Sequence, residues 1–78
     1  MINATEASSG EQVLADFEIA IEDKKALLRD PESHVASLTE QIKLAAENGL
    51  ITAEDLREHL EWADAALSWA LEERLNAT

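Results

Sequence analysis

The sequence has no cysteine and no tyrosine, only two glycines and one proline, and six basic residues among 78. Each shortage excludes something. Without cysteine there can be no disulfide and no thiolate metal site. The two histidines, His34 and His59, are too few for a zinc site of the usual kind. With Gly10 and Gly49 as the only glycines, no glycine-rich phosphate loop can be built. No window reaches the ~20 apolar residues that a membrane span needs. Six basic residues against 17 acidic ones leave a formal charge of -11, beyond the magnitude of about 2 to 8 usual for a small domain. That charge opposes direct contact with nucleic acid and with anionic membranes. It favours solubility and steers the chain towards basic partners. The stretch "MINATEASSGEQ" has neither the basic nor the apolar run of a secretory leader, so cytoplasmic residence is the expectation.

What the sequence does contain is helix signal. Val13, Leu14, Phe17, Ala20, Ile21, Leu27 and Leu28 recur at three-and-four spacing, and "SSGEQ" offers Ser8 or Ser9 as a cap. In "RDPES", Asp30 suits an N-cap and Pro31 the first helical position. Val35, Leu38, Ile42 and Ala45 then mark one face of a second helix. In "ENGLITAEDL", Gly49 can close that helix in the left-handed conformation. Thr52 with Asp55 forms a reciprocal capping box, and Ile51 with Leu56 a hydrophobic staple. The expectation is an all-α fold: a small three-helix bundle with helices at about 10–29, 31–48 and 53–75. It forms one domain over 10–78, preceded by a flexible tail over 1–9. A domain this small buries only about 60% of its unfolded surface, so completion of the bundle by dimerisation is expected.

Several motifs fail on inspection. Asn48, Gly49, Ile51 and Asp55 fit late positions of a calcium-binding loop, but Leu44 and Ala46 stand where its first ligands belong. Ala45 and Gly49 have helix-turn-helix spacing, yet the following helix begins "TAEDLREHLE", which phosphate would repel. His59 follows Asp55 by one turn and reads as a boundary histidine rather than a metal ligand. No nucleophile elbow or placed triad occurs. The expectation is no catalytic residue, no cofactor, no metal and no small-molecule substrate.

The third helix carries the functional expectation. At ~100° per residue, Leu56, Leu60, Ala63, Leu67 and Leu71 form one stripe, and Trp62, Ala65, Ala66 and Trp69 another, roughly 150° away. A single amphipathic stripe needs little more than ~100°. One explanation packs this helix centrally, with a neighbour on each flank. The other makes the tryptophan stripe an interface, since tryptophan is the commonest binding hot spot. A two-fold axis between Ala65 and Ala66 would set Trp62 against the partner's Trp69, as self-complementary dimers require. The expected function is a small non-enzymatic regulator or adaptor, homodimeric, that binds another protein through Trp62, Ala65, Ala66, Trp69, Glu58 and Glu61. An alternative is an acidic inhibitor that blocks a basic surface as a nucleic-acid mimic. Its analogy in size and charge is to phage anti-defence, immunity and antitoxin-like proteins. A third reading is an accessory subunit of an enzyme.

Overall fold

The computed structural model describes residues 9–77, with side chains from Gly10 onward. Every regular element among them is helical: α1 (Ser9–Ile21), α2 (Lys24–Arg29), α3 (Pro31–Glu47) and α4 (Ala53–Ala77). The chain is therefore all-α, but the expected helix over 10–29 is two helices rather than one. The later helices keep their expected bounds to within two residues. The tail expected over 1–9 and the serine caps lie outside the described residues, except that Ser9 is already helical.

The break has a local cause. Phe17 and Ile21 are buried, and one more turn of α1 would bring Lys24 and Lys25 round to the same face. Asp23 instead takes an extended backbone, and its carboxylate accepts from the Ala26 N–H at 3.2 Å. Such a cap is worth about 1 kcal/mol. The new helix turns Leu27 into the core and leaves Leu28, expected in the same stripe, 39% exposed. His34 on α3 secures the corner by donating from Nε2 to the Ala20 carbonyl at 2.9 Å.

The other two joints follow their sequence signals. Asp30 accepts from the Ser33 N–H at 3.3 Å, with Pro31 opening α3. At the far end Gly49 has φ +76°. Leu50 N–H donates to the Ala45 carbonyl at 2.9 Å and Gly49 N–H to Ala46 at 3.1 Å, the paired bonds of a left-handed helix stop. Thr52 and Asp55 exchange side-chain-to-backbone bonds of 3.0 and 3.2 Å, which starts α4.

α3 and α4 thus form an antiparallel helical hairpin, the main contact of the fold. α1 packs mainly on α3, and α2 touches both α3 and α4. Gly10 lies against the Leu50–Ile51 connection, whereas Ala20 reaches His34 at the start of α3. α1 therefore runs antiparallel to α3. Phe17, Leu27, Val35, Leu38 and Ile42 fill the interior. No described helix is long and apolar enough to cross a membrane.

Gly10 is buried, and a Cβ there would run into the Leu50 carbonyl, which is backbone and cannot swing aside. Gly10→Ala should therefore lower stability by about 1–3 kcal/mol, read as a lower midpoint in urea with unchanged slope.

Candidate protein-binding face

α4 runs for 25 residues, about 37 Å at the helical rise, and Ala63 and Ala70 on its inner face are buried almost completely. With only a methyl at each position, neighbouring backbones can come close. Larger side chains fan out on either flank: Leu56, Leu60 and Leu67 on one, His59, Trp62 and Trp69 on the other. The leucine flank meets α3, and Leu56, Leu60 and Val35 share one groove there. The tryptophan flank meets α1 and α2: Phe17 reaches the His59 ring at 5.2 Å between centroids, and Lys24 lies with Nζ 5.4 Å from the Trp69 ring centroid.

His59 is the residue that sequence reasoning misplaced. It is 3% exposed, a core position and not a boundary one. Its Nδ1–H donates to the Asp55 carbonyl at 2.7 Å, and its ring stacks obliquely on Trp62 at 4.6 Å. Nε2 has no hydrogen-bond partner and lies 3.5 Å from Glu18 Oε2. Only a protonated imidazole could pair with that carboxylate. The available signal was the spacing: His59, Ala63, Ala66 and Ala70 repeat at four, three and four on the inner face.

The six residues singled out from the sequence fall into two groups. Trp69 and Ala66 are partly buried against α2, where they share a hollow with Ile21, Lys24 and Leu27. Glu58, Glu61 and Ala65 are exposed, and Trp62, held by His59 on one side, remains 43% exposed. The structure therefore brings together an outward strip of Glu58, Glu61, Trp62 and Ala65, rimmed by Trp69. Glu54 and Glu72 extend its acidic edge along the same side of α4. Beyond Glu61, which borders both surfaces, an open groove of about 530 Å³ lies between α3 and α4 on the leucine flank. Among the described residues no three histidine, aspartate or glutamate side chains converge as a metal site requires.

No family model, curated protein or solved structure matches this chain.

The inner face and the outward strip should respond differently to bulk. Ala70→Leu, at a fully buried position, should cost about 1–3 kcal/mol through overpacking. Ala65→Leu, exposed on the strip, should change stability by less than ~0.5 kcal/mol. Parallel urea titrations compare the two.

Proposed function

We propose that this protein is a small, acidic, non-enzymatic regulator or adaptor that works as a homodimer and binds another protein through the outward strip of α4. The observation that carries the reading is Trp62. It is anchored on the His59 ring at 4.6 Å, so its orientation is set before any partner arrives. Yet 43% of it stays in contact with solvent, between exposed Glu58, Glu61 and Ala65. A rigid aromatic with a free face, rimmed by charge, is the composition of a binding hot spot and its polar surround. Preorganisation lowers the entropy that binding must overcome. The carboxylates of the strip select for a partner with a basic surface.

A second reading gives the acidic edge the larger share. Glu54, Glu58, Glu61 and Glu72 are all exposed along one side of α4, and Arg57 is the only arginine or lysine between Lys43 and Arg74. In that case the chain acts as an inhibitor occupying a surface that otherwise receives phosphate.

Affinity capture from the native cell extract, followed by titration of the recovered partner, tests both. On the first reading Trp62→Ala leaves helicity intact and weakens binding by about 30-fold or more, the size of a hot-spot loss of ~2 kcal/mol. Binding then persists at high salt. On the second, Trp62→Ala has little effect, and affinity falls steeply as ionic strength rises, because exposed charges are screened over about 8–10 Å. A partner insensitive to both changes would refute both.

A further inference from the structure

The α3–α4 groove poses a separate question. Its floor is Val35, Leu56, Leu60 and Ala63, of which Leu56 and Leu60 keep part of their surface open. Its rim holds Lys43 and Arg57 towards the hairpin turn, then Glu61 and Asp64 further along. Two basic and two acidic residues make this rim locally neutral, in a chain whose formal charge is -11. Two further hollows are smaller: the one beside Trp69, bordered by Glu22 and Lys24, is about 220 Å³, and the one bordered by Leu44 and Leu50 about 330 Å³.

We infer that the groove between α3 and α4 is the surface on which a second copy of this chain docks, two hairpins face to face closing a four-helix bundle. The inference rests on the proposed homodimer and assigns it a face. Charge complementarity carries it. Arg57 and Asp64 are seven residues apart on α4, about 10 Å at the helical rise, and both line the groove. A two-fold axis across the helices near Leu60 and Glu61 runs the two copies of α4 antiparallel. It sets Arg57 against the partner's Asp64, and Asp64 against the partner's Arg57. Lys43 adds to the basic end. Near the axis Leu60 meets its own copy, and Glu61 on the outer edge lies beside its own copy, one like-charge contact against the two Arg57–Asp64 contacts. The pairing is self-complementary, as a two-fold contact must be. Arg57 has only an exposed contact of 3.8 Å with Glu54 in the single chain, so it is free to turn to a stronger partner.

The tryptophan strip is the poorer choice for self-association. A two-fold axis between Ala65 and Ala66 would set Glu58 against the partner's Glu73, a like-charge contact. α2 already covers part of Ala66 and Trp69. The strip beyond Glu61, with Glu58, Trp62 and Ala65, therefore stays open for the basic partner while the groove holds the copy.

Light scattering at physiological salt on four forms of the full chain tests this. The wild type should have the mass of two chains. Arg57→Glu alone sets Glu against Asp twice, and Asp64→Arg alone sets Arg against Arg twice, so each should be monomeric. Mixed one to one, the two variants should regain the dimer mass, because the heterodimer has an opposite charge at both contacts. Unfolding cannot mimic that rescue. Trp62→Ala with Trp69→Ala should leave the dimer intact. A monomeric wild type, single variants that stay dimeric, or a mixture that stays monomeric would each overturn the inference. A dimer lost on tryptophan substitution would place self-association on the strip instead. Loss of partner binding by Trp62→Ala is read separately, so the outward-strip reading can fail while the dimer face stands.

Discussion

Ala63 and Ala70 set how near the rest of the chain can come to α4, and most of the architecture follows from that spacing. Both are buried, and a methyl group permits the short end of the 8–10 Å range over which helices pack. α4 therefore adds bulk to the interior mainly through His59, while Leu56, Leu60, Leu67 and Trp69 pack against it from the flanks. The largest fully buried side chains, Leu27, Ile42 and Pro31, come from the other elements. With small residues along the inner face, the large residues of α4 must sit on its flanks. This is why one helix can carry two apolar stripes and still belong to a small fold.

The same constraint accounts for the break after Ile21. α1 and α2 in turn cover the His59–Trp69 flank, and a single straight helix would have to present lysine where Leu27 now packs. Once α2 has turned, Lys24 lies beside Trp69 instead of under the core, keeping its charge in water while its stem covers apolar surface. The Asp23 cap and the His34 bond to the Ala20 carbonyl hold the corner from opposite sides, one through α2 and one through α3. The corner is thus a tertiary feature with a local trigger.

That distinction explains what could be read in advance. The joints at Asp30–Pro31 and at Gly49–Thr52 were legible because each is decided by neighbours within a few residues: a cap, a proline without an N–H, a glycine at positive φ. The all-α class was legible for the same reason, summed over long alanine- and leucine-rich segments. The break at Glu22–Asp23 was not, because Asp23 is one of several acidic residues and becomes a cap only when the core rejects Lys24 and Lys25. His59 was misplaced because burial depends on Phe17, forty-two residues earlier, arriving beside it. The exposure of Trp62 against the partial burial of Trp69 was equally out of reach. Helical angle places the two together, and only the position of α2 separates them.

Electrostatics then bears on the proposed division of labour. At a formal charge of -11, two copies of this chain repel one another at long range, and apolar area alone does not select the face on which they would meet. A locally neutral rim lessens that penalty at the groove flanked by Lys43, Arg57, Glu61 and Asp64. On the proposed reading the strip beyond it, with Glu58 and the shared edge at Glu61 and no base of its own, does the reverse: it repels copies and attracts a basic surface. Specificity of this kind arises as much from the contact disfavoured as from the contact made. On that argument the shortage of lysine and arginine is a positional code. On the proposed reading, where the few bases stand decides which face of the hairpin is shared with an identical chain and which waits for a different one.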